Sequence, residues 1–275
     1  MATAAGTETC FWRADDLGAD LLRGRFHDFS YDVHTHDSAC FALLTAGAIR
    51  IRMPGTEFVA RAGDLYAIDA DEPHAGWPVD EGGWQLRTMY VDLDHLRRLV
   101  GDEKATRGVA VKGPIVRDRR LSALLRAVHQ GSQEDGPVLL RQQHYLEFAA
   151  RLMQRHAVDG PVVREPGKEH RAVALTRDYL EQRLDQRVHL DEVAGASGLP
   201  VYRLYRAFCR DMGMSPHEFQ RQSRVRRAIR LMRLGRPLSE IAADCGFTDQ
   251  AHMNRSFRRI MGFTPGAYRT AVNAG

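Results

Sequence analysis

The chain has 275 residues, of which 44% are hydrophobic and 27% are charged, and its formal net charge at pH 7 is +4. It is too long for one average domain and comfortable as two. No run of residues approaches the roughly 18 apolar residues of a membrane helix, and the N-terminus has neither the basic start nor the apolar stretch of an export signal. Four well-separated cysteines without a C-x-x-C pair disfavour a zinc ribbon or a disulfide framework and favour a reducing cytoplasm.

The first 92 residues predict an antiparallel β sandwich or barrel. Short apolar segments alternate with Gly, Pro and Asp at intervals typical of that class. The expected strands cover residues 41–47, 48–53, 57–60, 65–70 and 86–93.

Residues 118–156 change to a helical period, in two segments separated by the break GSQEDGP. In the second segment an apolar stripe follows one side of the predicted helix, and it contains Leu139, Tyr145, Leu146, Ala149 and Leu152. Residues 157–170, rich in Pro, Gly and charge, are typical of a linker, and everything after them is predicted to be helical. The predicted organisation is therefore a domain at 1–156, a linker at 157–170 and a second domain at 171–275.

The charge is unevenly distributed. Residues 171–275 contain 18 arginines, no lysine and ten acidic residues, for a net charge of +8, whereas residues 1–170 contain 21 basic and 25 acidic residues. A basic C-terminal third favours a polyanionic partner for that third alone. The alternative is that these arginines form a solvated helix face.

A small helical unit occurs twice, at residues 190–219 and 238–268. Each copy has an N-capping residue type (Asp191, Ser239), a short apolar helix, a glycine (Gly198, Gly246) and a second helix with apolar residues at i, i+3 and i+4. Two short helices joined by a glycine turn form a helix-turn-helix. The alternative is a pair of hairpins in a bundle or solenoid, although two copies are too few for a solenoid.

Residues 216–235 lie between the copies and predict one connector helix, begun by a capping box of Ser215 and Glu218. A helix of about 18 residues spans roughly 27 Å. Such a connector can hold two recognition helices about one DNA turn apart, on the order of 34 Å, in successive major grooves.

The second copy contains G-F-x-D-x-x-x-x-x-R-x-F-R-R-x-x-G-x-T-P-x-x-Y-R from Gly246 to Arg269. With the first copy, it makes residues 171–271 resemble the DNA-binding domain of the AraC/XylS family of transcriptional regulators. The resemblance implies that the second helix of each unit enters the major groove. The implied DNA-binding residues are Tyr202, Arg203, Tyr205 and Arg206 in the first unit, and Gln250, Ala251, His252, Asn254, Arg255 and Arg258 in the second. Arg and Gln or Asn can bind guanine and adenine in a bidentate manner, and Ala can contact the thymine methyl group. Arg258 and the arginines of the connector are expected to contact the phosphate groups of DNA.

The N-terminal half resembles the cupin-like sensor domain that many AraC-family proteins carry. The similarity rests on His34 and His36, on Gly47, on Gly63-Asp64 and on Pro73-His74. It implies an α+β protein of two domains: an N-terminal antiparallel, cupin-like β-barrel with helices, and an all-α C-terminal domain with two helix-turn-helix units joined by a connector helix.

The histidines raise the possibility of a metal. His34 and His36 point to the same side of a regular strand, and with His74 they could provide three ligands. Metal-binding cupins usually add a glutamate, and Cys40 stands at the matching place. We therefore predict no metal and no cofactor. The three histidines would be the ligands if one bound, and otherwise they contact the effector or serve structure.

The resemblance implies an effector pocket inside the barrel. The predicted effector-binding residues are His34, His36, Phe41, Arg50, Tyr66, His74, Trp77 and Trp84, with Leu43 and Tyr90 as further candidates. Each of them could instead fill the core. A buried arginine needs an anion, so Arg50 would indicate a carboxylate on the effector if it faced inward.

The sequence thus predicts a sequence-specific transcriptional regulator, not an enzyme, whose binding to promoter DNA is modulated by a small-molecule effector. The implied partners are double-stranded DNA, the effector, RNA polymerase and a second copy of the chain, paired through the apolar stripe of residues 137–156; no membrane partner is expected. One alternative is a cupin-type metalloenzyme with a helical appendage. Another is a constitutive DNA-binding dimer without an effector. The sequence does not separate activation from repression.

Overall fold

The computed structural model describes residues 7–101, 111–158 and 169–273. The chain divides into two compact units, Met1–Glu165 and Pro166–Gly275, which we call the N-terminal and C-terminal units. Most of the predicted linker lies outside the described residues, so the predicted domain boundaries stay a prediction. No helix in the described ranges is long and apolar enough to cross a membrane.

The N-terminal unit is built on antiparallel strands, as predicted. Its described residues form β1 (Glu8–Ala14), β2 (Ala19–Phe26), β3 (Tyr31–His34), β4 (Ala39–Met53), β5 (Thr56–Arg61), β6 (Leu65–Ile68), β7 (His74–Pro78), β8 (Trp84–Val91) and β9 (Ile115–Val116). The main hydrogen-bonded path runs β1-β2-β8-β4-β6-β9 and leaves β1 and β9 as edges, so the sheet is not a closed barrel.

The long strand β4 joins two layers of the sheet. Its first half pairs with β6 and β8, and its second half pairs with β5 and β7. The two strands predicted at 41–47 and 48–53 are therefore one continuous strand. Between the halves the register with β8 shifts at Leu44 and Ala46, and Gly47 follows with φ 67°. A Cβ atom on Gly47 would lie 2.0 Å from the Gly83 carbonyl oxygen, so only glycine fits this bulge.

Apolar side chains fill the space between the layers. On β4 they come from Cys40, Ala42 and Leu44 before the bulge, and from Ile49 and Ile51 after it. Phe26 and Trp84 stack there with ring centroids 5.0 Å apart. Burial of each large apolar side chain contributes about 1.5–3 kcal/mol, and this region is the core of the unit.

The described residues of the N-terminal unit also form α1 (Leu93–Leu99), α2 (Arg119–Gln133) and α3 (Val138–Arg155). Phe148 of α3 packs on Phe41 of β4 at a centroid distance of 5.5 Å, so the helices cover the outer face of the sheet. A buried ion pair from Arg141 Nε to Asp16 Oδ2, 2.9 Å long, fixes α3 to the turn before β2.

The predicted dimer interface on α3 requires a correction. The stripe that was expected to pair two subunits is covered by its own chain: Leu139, Tyr145, Leu146, Ala149 and Leu152 are all buried. The helical pattern was recognised correctly, but the stripe packs within its own chain, where α3 contacts α2 and α1 and the ring of Tyr145 stacks on His95 of α1. A dimer cannot form through these side chains without unpacking the unit.

The described residues of the C-terminal unit are helical throughout, as predicted. They form α4 (His170–Gln182), α5 (Leu190–Ser197), α6 (Val201–Met212), α7 (Pro216–Arg233), α8 (Leu238–Asp244), α9 (Gln250–Met261) and α10 (Pro265–Asn273). The connector α7 begins with the predicted capping box, in which the Glu218 amide donates to Ser215 Oγ and the Ser215 amide donates to Glu218 Oε2. Met253 and Phe257 of α9 pack with Val225 of α7 in a buried apolar cluster.

Both predicted helix-turn-helix units are present, as α5-α6 and α8-α9. Gly198 and Gly246 adopt left-handed conformations, with φ of 72° and 74°. The predicted caps were placed two residues late. Helix α5 begins after His189 and α8 begins after Pro237, so Asp191 and Ser239 lie inside the first turns.

Candidate ligand cavity and nucleic-acid interface

A small cavity of about 40 Å³, partly open to solvent, lies between the two layers of the N-terminal unit. Its polar lining consists of imidazole, phenol, hydroxyl and thiol groups, from His34, His36, His74, Tyr31, Tyr66, Tyr90, Thr88 and Cys40. The rest of the lining is aliphatic or glycine, and no carboxylate, ammonium or guanidinium group lines it among the described residues.

The three predicted histidines meet at one end of this cavity. The ring of His74 lies 4.2 Å from that of His34 and 4.6 Å from that of His36, centroid to centroid. One ring nitrogen from each histidine lies within 4.8 Å of the other two. Residues 35–38 are outside any strand, so His36 reaches the cluster through a bend of the chain and not through the strand alternation that the sequence suggested.

Backbone contacts determine which nitrogens face the cluster. His34 Nδ1 donates to the Asp32 carbonyl oxygen at 2.7 Å, and His74 Nδ1 donates to the Glu72 carbonyl oxygen at 2.9 Å. A neutral imidazole that donates through Nδ1 keeps a free lone pair on Nε2. His36 Nδ1 is buried without a hydrogen-bond partner. Burial lowers the pKa of His74 to about 4, so this ring is neutral at pH 7.

The donor set, three imidazoles that converge at one place, fits a divalent transition metal. Backbone carbonyls that fix the outer nitrogens are the usual support of such ligands. Cys40, which replaces the expected glutamate, lines the cavity, but it does not belong to the cluster. Burial raises the pKa of the Cys40 thiol to about 12, which leaves it protonated and unsuited to bind a metal as a thiolate.

Four of the eight predicted effector-binding residues line the cavity, and four do not. His34, His36, Tyr66 and His74 belong to the lining. Phe41 packs on α3, and Trp84 is buried in the core against Phe26.

Arg50 and Trp77 also lie away from the cavity. Arg50 points outward and pairs with Glu57 at 3.0 Å, and Trp77 lies beneath the guanidinium of Arg52. The prediction placed both Phe41 and Arg50 inward, whereas the bulge at Leu44–Ala46 changes which positions of β4 face inward. Even-numbered positions of β4 face inward before it and odd-numbered positions after it, so one alternation cannot describe the whole strand.

Sequence reasoning also missed Tyr31 and Thr88 in the lining. Tyr90, one of the further candidates, does line the cavity. Thr88 stands two residues before it, so the two-residue period of a strand could have identified Thr88 as well. Tyr31 lies three residues before His34 at a register shift of β3. No periodic signal marks it.

In the C-terminal unit, α6 and α9 place the predicted DNA-contacting residues on their outer faces. In α9 the side chains of Gln250, Ala251, Arg255 and Arg258 are exposed. Asn254 is half-buried, and the ring of His252 packs edge-on against Phe247 at 5.4 Å. Asp249 caps this helix by accepting from the His252 amide at 2.6 Å.

Helix α6 presents a different surface. Arg203 is exposed but donates from Nε to Glu169 Oε1 at 2.8 Å, just before α4 begins. The guanidinium of Arg206 lies 5.9 Å from the ring of Tyr202. Tyr205 is half-buried. The first predicted recognition helix therefore has its cations engaged within the chain.

The connector arginines, all expected on phosphate, divide into two groups. Arg224 is half-buried and donates to the carbonyl oxygens of Leu184 at 2.7 Å and Gln186 at 3.2 Å, so it serves structure. Arg233 donates to the Tyr268 hydroxyl at 2.8 Å. Arg227 is half-buried and Arg230 is exposed. Neither Arg227 nor Arg230 is among the described ion pairs, so both remain candidates for contact with a DNA phosphate.

Comparison with known proteins assigns both units to described families. Residues 17–149 match the AraC-like ligand binding domain, and residues 193–271 match a helix-turn-helix domain. The chain is 24% identical over 222 residues to the uncharacterized HTH-type transcriptional regulator YbfI of Bacillus subtilis, covering 80% of each chain. It is 33% identical over 93 residues to the regulatory protein SoxS of Salmonella typhimurium, which covers 34% of this chain and 87% of SoxS.

Among solved structures, the DNA-binding domain of AdpA in complex with a target DNA is 26% identical. The similarity covers 38% of this chain and 94% of that domain, with a TM-score of 0.36. The matched families, the repeated helix-turn-helix and the sheet with its cavity agree with one another. The chain belongs to the AraC family of transcriptional regulators, with an AraC-like ligand-binding unit followed by a DNA-binding helix-turn-helix unit.

Proposed function

We propose that this protein reads two adjacent major-groove segments of a promoter, through α6 and α9, and that a small molecule in the cavity modulates this binding. The observation that supports the DNA-binding role is the pair of equivalent helices joined by α7 in a segment of net charge +8. Such a segment attracts the phosphate backbone, and the exposed ends of the two helices supply base-reading groups.

The second recognition helix carries the clearest base-reading groups. Gln250 and Asn254 can each make a bidentate contact with adenine, and Arg255 with guanine. Ala251 can contact a thymine methyl group, and Arg258 is assigned to phosphate. In the first recognition helix, Arg203 and Arg206 first exchange their present partners for DNA, and Tyr202 and Tyr205 pack on the sugar-phosphate chain.

Selection of binding sites from random duplex DNA by the full-length protein tests this proposal. We expect enrichment of one sequence with two half-sites about one helical turn apart. The Gln250→Ala variant should enrich a sequence relaxed at one base pair only. Equal affinity of the wild type for selected and random DNA would refute the proposed function.

Two further partners belong to this proposal. A regulator of this family that activates transcription contacts RNA polymerase, and we propose the same for this chain. We also propose a homodimer, whose interface lies outside the buried stripe of α3. Sedimentation of the wild type at micromolar concentration tests the dimer. Sedimentation of the variant Phe11→Glu, which changes an exposed residue of the edge strand β1, tests whether the interface includes this strand.

The lining of the cavity determines the class of effector. Because Arg50 faces outward, its predicted contact with a carboxylate is withdrawn. Phenol, hydroxyl and imidazole groups above an aliphatic floor suit a small uncharged molecule with a few hydrogen-bonding groups. A thermal-shift screen of such compounds should find ligands that raise the melting temperature of the wild type but not of Thr88→Val, because a ligand that binds only the folded state stabilises it.

The convergence of three imidazoles supports a second candidate function, in which a divalent transition metal takes part in sensing. His34, His36 and His74 would hold the ion, which would supply positive charge and open coordination positions. With no carboxylate in the lining, the charge of the ion would favour an anionic effector. The metal-loaded protein would therefore select a different ligand class from the metal-free protein.

Titration of the apo protein with zinc, measured by calorimetry, tests this candidate. We expect one site per chain, lost in His34→Ala and retained in His27→Ala, whose histidine is exposed and outside the cluster. Equal binding by both variants, or none by the wild type, would refute it. Substrate turnover by the loaded protein would instead favour the metalloenzyme alternative.

A further inference from the structure

A second concave site lies on the outer face of the sheet, where β2 and β8 meet α2. It is a groove of about 490 Å³, open to solvent, and we call it the arginine groove. Four guanidinium groups line it, those of Arg23 and Arg25 on β2, Arg87 on β8 and Arg126 on α2. Thr45 and Gln85 add neutral hydrogen-bonding groups, and Glu8 of β1 adds one carboxylate at the lining.

The fold brings these charges together. Arg23 and Arg87 stand directly opposite each other in the antiparallel pairing of β2 with β8, and Arg25 follows two residues along the same face. Like charges at directly opposed positions of a sheet destabilise it. Burial and then the charges of Arg23 and Arg126 lower the pKa of Arg87, which places all three within electrostatic reach of one another.

The protein does not neutralise this cluster. Among the described residues, no carboxylate oxygen lies within 4.0 Å of a nitrogen of the four groove arginines. Arg87 donates instead to the neutral Gln133 Oε1 at 2.8 Å. Two acids are near: Glu8 stands opposite Arg25 in the pairing of β1 with β2, and Glu134 acts on Arg87 from the end of α2.

Two arginines elsewhere on the same sheet are paired. Arg13 Nη1 lies 3.0 Å from Asp20 Oδ2 across β1 and β2, and Arg50 Nη1 lies 3.0 Å from Glu57 Oε1. Arg52 instead lies over the ring of Trp77. The groove therefore differs from these positions in bringing four guanidinium groups to one site.

We propose that the arginine groove binds a compact polyanion with two or more phosphoryl or carboxylate groups. Guanidinium groups bind phosphoryl and carboxylate groups in a bidentate manner. The pairing of β2 with β8 holds Arg23 and Arg87 side by side, so both can contact the same ligand. The N-terminal 170 residues contain more acidic than basic side chains, which disfavours a nucleic acid polymer and leaves a small anion as the occupant. Leu86 lines both the groove and the cavity, but Arg23, Arg25 and Arg87 alternate with the cavity-lining residues of β2 and β8 and so lie on the opposite face of these strands.

Calorimetric titration of the full-length protein with inorganic pyrophosphate, and separately with citrate, tests the proposal at constant ionic strength in chloride. We expect saturable binding of at least one of the two, and the tighter one identifies phosphoryl or carboxylate as the preferred group. Arg23→Gln should weaken binding about tenfold, since one hydrogen-bonded charge is lost. Glu8→Gln should strengthen binding by removing the nearest negative charge.

Arg50→Gln is the matched control, because it removes an arginine of the same sheet outside the groove. Arg23 is exposed, so its substitution leaves the fold intact, and the unchanged melting temperature of the variant verifies this. Loss of binding in Arg23→Gln with normal binding in Arg50→Gln supports the site. Equal affinity in both variants, or heat no larger than that of chloride addition, overturns it.

Discussion

The two helix-turn-helix units have the same plan but different surroundings. Gly198 of the first unit and Gly246 of the second have nearly equal left-handed φ angles. A Cβ atom on Gly198 would meet nothing within 4 Å, whereas one on Gly246 would lie 2.0 Å from the Leu184 carbonyl oxygen. The second turn therefore presses against the segment that joins α4 to α5, and the first turn faces open space. Repetition of a sequence pattern does not imply repetition of its packing.

The recognition helices differ in the same way. In α6 the exposed cation Arg203 is paired with Glu169. In α9 the exposed residues Gln250 and Arg255 are not among the described ion pairs, and the negative charge nearby, Asp249, is used as the helix cap. In the proposed function, the first helix exchanges these contacts for DNA, and the second presents its groups without such an exchange. We infer that the second unit contributes more to base specificity.

Substitution of the two turn glycines is expected to have the largest effect on stability. Gly246→Ala places a methyl group against the backbone of Leu184 and Asp185 in addition to the left-handed strain, and we expect a loss of roughly 3 kcal/mol or more in the free energy of unfolding. Gly198→Ala has the strain alone and should cost about 1 kcal/mol. Urea unfolding followed by circular dichroism measures both.

The chain offers an internal control for this measurement. All three tryptophans, Trp12, Trp77 and Trp84, belong to the N-terminal unit. Tryptophan fluorescence should therefore give the same midpoint for both glycine variants and the wild type. Equal losses for the two variants would show that the turns are equivalent after all.

Much of the fold could be predicted because its signals are local and long. The glycine turns, the capping box at Ser215 and the 18-residue connector each follow from neighbouring residues, and all are present. The contact of Gly246 with Leu184 could not be predicted, since it joins residues 62 positions apart that no spacing rule relates. The same holds for Arg203 and Glu169.

The cavity shows where period-based reasoning fails. Its histidines were found because a motif marks them, but nothing local in the sequence shows which face of β4 turns inward. One extra residue at the bulge by Ala46 reverses the inward face between the two halves of the strand. Phe41 before the bulge and Arg50 after it were both assigned to the wrong side.

The second prediction concerns the connector, which serves both helix-turn-helix units. Arg224→Gln should lower the free energy of unfolding by about 2–3 kcal/mol, because two carbonyl oxygens lose a charged donor. Arg230→Gln should leave stability unchanged and weaken DNA binding for all sequences, with the slope of log K against log salt smaller by about 1. Fluorescence anisotropy at several salt concentrations, beside urea unfolding, separates the two roles. A stability loss for Arg230→Gln, or none for Arg224→Gln, would contradict the division of the connector arginines.

The third prediction sharpens the comparison of the recognition helices. Gln250→Ala should reduce discrimination at one base pair by about 2 kcal/mol, within the usual range for a bidentate contact. Arg203→Ala should reduce affinity for every sequence and discrimination by less than Gln250→Ala does. Competition binding with a panel of single-base operator variants gives both quantities. If Arg203→Ala loses more discrimination than Gln250→Ala, the first helix is the main reader and the inference from its ion pair is wrong.

The smallest expected effect on stability concerns the helix caps. The capping carboxylate of the first unit lies at the start of α5, and that of the second unit lies at the start of α9. The Asp249 carboxylate accepts a short bond of 2.6 Å from the His252 amide at the start of α9. At the start of α5, Glu192 accepts from the His189 amide at 3.4 Å, which is long for a hydrogen bond. Asp249→Ala should therefore lower the free energy of unfolding by about 1 kcal/mol, the usual loss of an N-cap, and Glu192→Ala by a few tenths. Asp249→Asn keeps the acceptor and removes the charge, so it should retain most of the stability if the hydrogen bond is the cause. Urea midpoints from circular dichroism at unchanged slope decide the order, and a larger loss for Glu192→Ala than for Asp249→Ala would reverse it.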